Sequence, residues 1–164
     1  MPLAKPTLKK ELLEIVSRDL DTLVRAHRAT QEGATHEEAK PENDKDTRAL
    51  EQSYLARGQA ARIEELRAGV EAISGLTTRA FEANDPVALG ALATLSDADT
   101  EASSDAFTVL IAPHGGGHRL AEGRVRVVTP VSPLGRALLG KRVGDLVEMS
   151  VGGRERQLEV VGVA

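Results

Sequence analysis

Apolar residues near the N-terminus recur at steps of three and four, which is the spacing of one face of an α-helix. The stripe consists of Leu8, Leu12, Val16, Leu20 and Leu23. The other face is charged, and we expect its side chains to be solvated: Lys9, Lys10, Arg18 and Arg25. Thr7 is the predicted N-cap of this helix, and Gly33 is predicted to loosen or end it.

A second helical pattern begins at Pro41 or Glu42 and is predicted to end at Ser74-Gly75. Its apolar stripe comprises Ile63, Leu66, Val70 and Ile73. A helix cannot continue through Pro41 without losing a backbone hydrogen bond, so the two patterns predict two antiparallel helices joined by a turn. At about 1.5 Å per residue, the second helix would span roughly 45–50 Å, which suits a rod that reaches a partner.

The turn between the two helices is strongly acidic. The stretch from His36 to Asp46 contains five carboxylates and only two lysines. The carboxylates belong to Glu37, Glu38, Glu42, Asp44 and Asp46. Such a cluster is either a solvated helix turn or a tip that meets a cation or a basic surface, and the pattern alone leaves both interpretations open.

The pattern changes to short strands after a connector at residues 76–86. Alternation and β-branched residues predict strands at 89–95, 107–112, 124–129, 146–150 and 157–163, the last two joined by a hairpin at Gly152-Gly153. Ser132–Gly140 interrupts them as a short helix, with Ser132 as cap, Pro133 in the first position and Gly140 at the left-handed end. Its predicted apolar face is Leu134, Leu138 and Leu139.

These elements predict an α+β protein with three parts: a coiled-coil hairpin with an acidic tip at 1–75, a linker at 76–86 and an antiparallel β domain at 87–164. The net charge of −4, two Phe, one Tyr and no Trp argue against direct sequence-specific binding of nucleic acid. The chain contains no cysteine and no transmembrane stretch, so we expect a cytoplasmic protein with no membrane partner, and we expect a monomer.

The run from Ser132 to Asp145, Ser-Pro-Leu-Gly-Arg-Ala-Leu-Leu-Gly-Lys-Arg-Val-Gly-Asp, resembles the C-terminal signature of the GreA/GreB transcript cleavage factors. The run Arg62-Ile63-Glu64-Glu65-Leu66 is similar to part of the second coiled-coil helix of that family. The resemblance implies that the C-terminal domain is FKBP-like.

The resemblance also implies a partner, bacterial RNA polymerase, and a regulatory role rather than an enzymatic one. In this family the C-terminal domain docks near the mouth of the polymerase secondary channel and the coiled-coil tip enters it. The candidate docking residues here are Ser132, Pro133 and Arg136. The tip of the family carries an Asp and, three residues later, a Glu that help to hold a second Mg²⁺ in the polymerase active site.

Two positions depart from the family. Glu42 corresponds to the tip Glu, but the Asp position is Ala39, whose side chain cannot ligate a metal. Glu38 and Asp46 are candidates for a second oxygen, and Asp44 completes the acidic tip. We therefore expect no cofactor in the free protein, Mg²⁺ shared with the polymerase through Glu42, and weak or absent stimulation of cleavage. The other departure is Val131, which stands where the family has a polar residue before Ser132.

Two other functions remain open at this point. The hairpin would also suit an interaction protein with a partner other than polymerase. A prolyl isomerase, the activity associated with FKBP domains, needs an aromatic pocket for the proline ring. Phe107 is the only aromatic residue after Phe81, which disfavours that activity.

Overall fold

The computed structural model describes residues 3–37, 47–98, 106–151 and 153–164. Two long N-terminal helices precede a six-stranded sheet and a short third helix, which confirms the predicted α+β class. The elements are α1 (Lys5–Glu37), α2 (Thr47–Ser74), β1 (Leu92–Asp97), β2 (Phe107–Ile111), β3 (Arg119–Leu120), β4 (Val125–Val128), α3 (Pro133–Leu138), β5 (Leu146–Val151) and β6 (Arg154–Val163).

The chain forms two compact bodies. One body contains Met1–Leu13 together with Ala72–Ala164, so the beginning of α1 and the end of α2 belong with the sheet. The other body is Glu14–Glu71, the remainder of the two helices. Within the described residues, no helix combines the length and apolarity that a membrane crossing requires.

The first helix begins earlier and continues further than predicted. The backbone N–H groups of Thr7 and Leu8 donate to the carbonyl of Ala4, at 3.0 and 3.1 Å. Thr7 therefore lies inside the first turn, and its prediction as the N-cap is wrong. Pro6 is compatible with this start, because the first turn of a helix needs no proline N–H. Gly33 lies within α1, so the helix does not end there.

Most of the two predicted helical stripes is buried, whereas Leu20, Leu23 and Val70 are half-buried. Exposure is 5% or less for Leu8, Leu12, Val16, Ile63, Leu66 and Ile73. In the first body Lys9 Nζ donates to the carbonyl of Ser74 at 2.8 Å, and in the second body His27 Nδ1 lies 3.2 Å from Gln59 Oε1.

The sheet has the strand order β3-β4-β2-β1-β6-β5. Four of the five strand pairs are antiparallel, but β2 and β4 run parallel, with Leu110 opposite Val127. The prediction of a wholly antiparallel domain is wrong at this pair. The chain reverses direction twice between β2 and β4, once into β3 and once out of it. The sequence pattern did not reveal β3, because this strand has only two residues.

The first strand starts three residues later than predicted. Leu89 is 46% exposed, and Gly90 has a φ of 87°, which takes the backbone out of the strand conformation. A Cβ at Gly90 would lie 2.6 Å from the carbonyl oxygen of Thr77. The chain therefore passes close to the connector here before it enters β1.

The main core lies on one face of the sheet, against α3. Leu134 and Leu138 of α3 join Val109 and Ile111 of β2 and Val160 of β6 in this cluster. Residues on the opposite face of the sheet are also buried: Leu110, Leu120, Val125 and Val127. Both faces of the central strands are therefore covered, and the polar alternation of a solvated sheet is missing from them.

Candidate functional site

Ser132 fixes the start of α3 by three hydrogen bonds. Its backbone N–H and its hydroxyl both donate to the carbonyl of Thr129, at 3.0 and 2.7 Å, and its Oγ accepts from the N–H of Gly135 at 3.1 Å. Pro133 follows in the first turn, where its missing N–H costs nothing. The predicted cap and proline are confirmed, and the Ser132 hydroxyl is engaged within the chain rather than presented to a partner.

Gly135 is required by a close backbone approach that the sequence analysis did not identify. A Cβ at this position would lie 1.9 Å from the carbonyl oxygen of Thr129. The same carbonyl receives the two bonds from Ser132, so helix and preceding loop are packed backbone against backbone. A glycine inside a capped six-residue helix was the available signal, since glycine otherwise weakens a helix.

The outer side of this motif carries an exposed ridge, formed by Val131, Pro133 and Arg136. Val131 is 76% exposed, and both Pro133 and Arg136 are exposed. Arg136 Nη1 donates to the carbonyl of Val131 at 2.8 Å, which positions the guanidinium over the ridge. Two of the three candidate docking residues, Pro133 and Arg136, are therefore accessible on one surface, and Ser132 supports them from within.

The turn that follows α3 is closed by the Gly-Asp pair of the motif. Gly140 and Gly144 have φ values of 80° and 92°, which confirms the predicted left-handed end of α3. Asp145 Oδ2 accepts from the N–H of Arg142 at 2.8 Å, and the N–H of Asp145 donates back to the Arg142 carbonyl at 3.0 Å. Of the predicted apolar face, Leu134 and Leu138 are buried, whereas Leu139 is 37% exposed.

A cationic cluster joins the beginning of α1 to the connector. Lys5 Nζ and the Arg79 guanidinium lie 4.4 and 3.8 Å from the centre of the Phe81 ring. Burial lowers the pKa of Lys5 below its ordinary value, and the neighbouring Arg79 charge lowers it further. Arg79 Nη1 also bonds Asp85 Oδ2 at 3.0 Å. This bond, followed by one from the Glu82 amide, holds the pKa of Asp85 below its ordinary value.

The acidic tip from Glu38 to Asp46 lies outside the described residues. This applies to Glu38, Ala39, Glu42, Asp44 and Asp46, so their roles stay predictions. Among the residues that the structure does describe, no three His, Cys, Asp or Glu side chains cluster closely enough to hold a metal ion.

The C-terminal half of the chain matches a known family. The family described as "Transcription elongation factor, GreA/GreB, C-term" matches residues 82–164, about half of the chain, including the whole of the α3 motif. The match covers the connector from Glu82 onward, all six strands and α3.

Curated relatives extend the match into the helices. Transcription elongation factor GreA of Methylobacterium nodulans is 33% identical over 116 residues, which is 71% of this chain and 66% of the relative. The match thus spans slightly less than two thirds of that relative's length. GreA of Rhodospirillum rubrum is 31% identical over 160 residues, covering 95% of this chain and 90% of the relative. A solved structure of the transcription factor Gfh1 is 25% identical, covering 96% of this chain and 93% of its own, with a TM-score of 0.41.

The fold and the motif together define an α+β protein with two long helices and a sheet domain, which carries the short capped helix α3. The family match and the relatives then assign it: the chain belongs to the GreA/GreB family of transcription elongation factors. Members of this family are factors that act in transcription and are not enzymes in their own right.

Proposed function

We propose that this protein regulates transcription elongation by binding bacterial RNA polymerase, with the sheet domain docked at the entrance of the secondary channel and the hairpin tip inserted into it. The observation that carries the proposal is the exposed ridge of Val131, Pro133 and Arg136 inside the segment that matches the family. A small rigid surface that holds an arginine over exposed apolar atoms is typical of protein contact sites.

The ridge is well suited to docking because its geometry is fixed before any partner arrives. The three bonds of Ser132 and the close approach of Gly135 hold the backbone, and Arg136 is tethered to the Val131 carbonyl. A pre-organised surface loses little side-chain freedom on binding, so more of the contact energy appears as affinity. Val131 offers an apolar contact where the family has a polar one, which predicts altered rather than absent docking.

The tip is proposed to work weakly in RNA cleavage. Carboxylate oxygens are the ligands that Mg²⁺ prefers, and Glu42 with Glu38 or Asp46 would supply them in the complex with polymerase. Mg²⁺ held by these carboxylates in the complex would supply an activated water for hydrolysis of the transcript. Ala39 contributes no oxygen, so the donor set at the tip is short of one carboxylate at the family position. We therefore propose channel occupancy with weak or absent cleavage stimulation.

This function is tested by titrating the protein against stalled, backtracked polymerase. The readout is the length of the transcript. We expect the protein to bind polymerase and to shorten the transcript slowly or not at all. Binding is measured separately, by competition with a labelled cleavage factor for the same polymerase. Strong shortening that disappears in Glu42→Ala would support the family role and contradict the weak activity. Failure to compete for polymerase at any concentration would refute the proposed function and leave the hairpin to another partner.

A further inference from the structure

Two arginines face each other at the outer edge of the sheet. Arg119 of β3 and Arg126 of β4 are direct partners in the antiparallel register, and β3 is the last strand on its side. Cα atoms of such partners lie about 4.5–5.5 Å apart, and the two side chains leave the same face of the sheet. Both side chains are exposed, and so is Arg124, which immediately precedes β4. We refer to Arg119, Arg124 and Arg126 as the arginine edge.

The described residues contrast the arginine edge with other arginines of the same body. Elsewhere in the same body Arg79 pairs with Asp85 and Arg156 with Asp97. Within the described part of the chain, no ion pair to a carboxylate involves any arginine of the edge. Like charges directly opposite each other destabilise a strand pair, so the Arg119–Arg126 pairing is unfavourable within the described sheet. Locally unfavourable side-chain arrangements of this kind are expected at binding sites, where function rather than stability selects the residues.

The guanidinium of Arg126 is also held in place. Its Cζ lies 5.2 Å from the centre of the Phe107 ring at the start of β2. Arg124 Nε donates to the carbonyl of Ala121 at 3.1 Å, which restrains the third arginine. A guanidinium group that is restrained before binding loses little rotamer entropy when it binds. Its planar set of N–H donors favours bidentate contacts with carboxylate or phosphate oxygens.

We propose that the arginine edge is a docking surface for an acidic segment of a partner protein, in extended conformation and with carboxylates at alternate positions. Residues two apart in an extended chain lie roughly 6.6 Å apart on the same side. Arg124 and Arg126 are also two positions apart, so alternate carboxylates can meet successive guanidinium groups. The Ala121 N–H next to β3 is already bound by Glu11, so recognition rests on side chains rather than on added strand pairing.

An acidic protein segment fits these observations better than a nucleic acid does. The net charge of the chain is −4, which repels a long polyanion, and three arginines neutralise only a few phosphates. Single-stranded nucleic acid is normally held by several stacking aromatic rings, and this chain has two Phe and one Tyr in total. The aromatic ring at the arginine edge, Phe107, already contacts Arg126.

The test uses the full chain and two fluorescent probes, a short peptide of alternating glutamate and serine and an oligouridylate of equal charge. At low salt we expect the peptide to bind, and Arg119→Glu to weaken it at least about tenfold. The same substitution should raise the melting temperature, because the introduced carboxylate faces Arg126 and removes the repulsion. Arg119→Gln should weaken binding less and also raise the melting temperature. Arg154→Glu, at an exposed arginine on β6, is the matched control and should leave peptide binding unchanged.

Three outcomes would overturn the proposal. The first is equal peptide affinity in wild type, Arg119→Glu and Arg154→Glu. The second is tighter binding of the oligouridylate than of the peptide, which would assign the edge to nucleic acid. The third is a lower melting temperature in both Arg119→Glu and Arg119→Gln, because it would give the arginine pair a structural role. No polymerase is present in this assay, so its result is independent of the proposed function.

Discussion

The backbone N–H of Ala121 donates to both carboxylate oxygens of Glu11, at 3.0 and 3.2 Å. Ala121 and Glu122 have φ values of 51° and 59°, a left-handed conformation that residues with a side chain seldom adopt. The turn between β3 and β4 is therefore strained, and a carboxylate from α1 binds its first N–H. This contact joins the beginning of helix α1 to the turn between β3 and β4, within one body.

Removing this carboxylate should destabilise the protein. Glu11→Ala leaves the half-buried Ala121 N–H without its charged acceptor, and we expect a loss of about 1–2 kcal/mol in the free energy of unfolding. Glu11→Gln keeps one oxygen as acceptor and should lose less. Thermal unfolding followed by circular dichroism measures both. Glu32→Ala, at an exposed position of the same helix, is the matched control; an equal loss in this variant would contradict the role of Glu11.

A second prediction concerns the backbone contact of Gly135. Gly135→Ala forces the α3 backbone away from the Thr129 carbonyl, because the added Cβ would lie 1.9 Å from that oxygen. We expect a loss of about 3 kcal/mol or more, at the upper end of overpacking effects. Gly58→Ala meets nothing within 4 Å in the middle of α2 and should instead gain about 0.5–1 kcal/mol. Urea denaturation of the two variants gives the comparison, and an unchanged midpoint for Gly135→Ala would contradict the close approach.

The parts of the fold that the sequence predicted are those that depend on local pattern. The stripes through Leu12 and Leu66 are buried because a 3.6-residue period places them on one side of a helix. The boundaries of α3 followed from Ser132 and Gly140, since a cap and a left-handed glycine act within a few residues. Pro133 and Arg136 became candidates for the same reason, because they lie next to that cap, and their docking role stays a prediction.

The parts that were missed depend on contacts between distant segments. Lys9 was expected in solvent, yet its ammonium donates to the carbonyls of Ser74 and Leu76, each at 2.8 Å. No pattern near Lys9 encodes the free carbonyls at the end of another helix. The parallel pairing of β2 with β4 likewise follows from the path of the chain between them. The restriction at Gly135 arises from Thr129, whose position is set by the loop and not by the helix.

The ion pair between Arg79 and Asp85 gives a prediction for pH dependence. The pKa of Asp85 is lowered chiefly by the hydrogen bond from Arg79, so the carboxylate stabilises the folded state above its unfolded pKa of about 3.9. That contribution is lost as the pH falls through the lower, folded-state pKa. Arg79→Gln should raise the Asp85 pKa toward its unfolded value, so the stability that this carboxylate contributes above that pH becomes smaller and less of it is lost in acid.

Carboxyl chemical shifts measured by NMR across an acid titration follow the Asp85 pKa directly. Arg142→Gln is a suitable comparison, because the Arg142 charge is the smallest of the influences that lower this pKa. The shift in Arg142→Gln should therefore be the smaller of the two. Equal shifts in the two variants would show that long-range charge, rather than the Arg79 hydrogen bond, controls the Asp85 carboxylate.

The proposed docking of the ridge formed by Val131, Pro133 and Arg136 predicts a separation of binding from folding. Arg136 is exposed and makes its hydrogen bond to the Val131 carbonyl, so Arg136→Ala should change the melting temperature little. If the ridge docks on polymerase, the same substitution should weaken the complex about tenfold, in the range of a moderate interface arginine. Competition binding to polymerase measures this, with Arg154→Ala as a control at another exposed arginine. Equal affinities in both variants would place the docking surface elsewhere.

The last prediction restores the carboxylate at position 39. If weak cleavage results from the alanine there, Ala39→Asp should increase transcript shortening by backtracked polymerase several-fold, because it supplies a hard oxygen ligand three residues before Glu42. Ala39→Asn has almost the same shape without the charge and should give little increase. Adding Glu42→Ala to Ala39→Asp should remove the gain, since the two carboxylates act on one site. The gain must appear at saturating protein, where differences in docking no longer affect the rate. An equal effect of aspartate and asparagine would show that side-chain size, and not metal ligation, limits the activity of this tip.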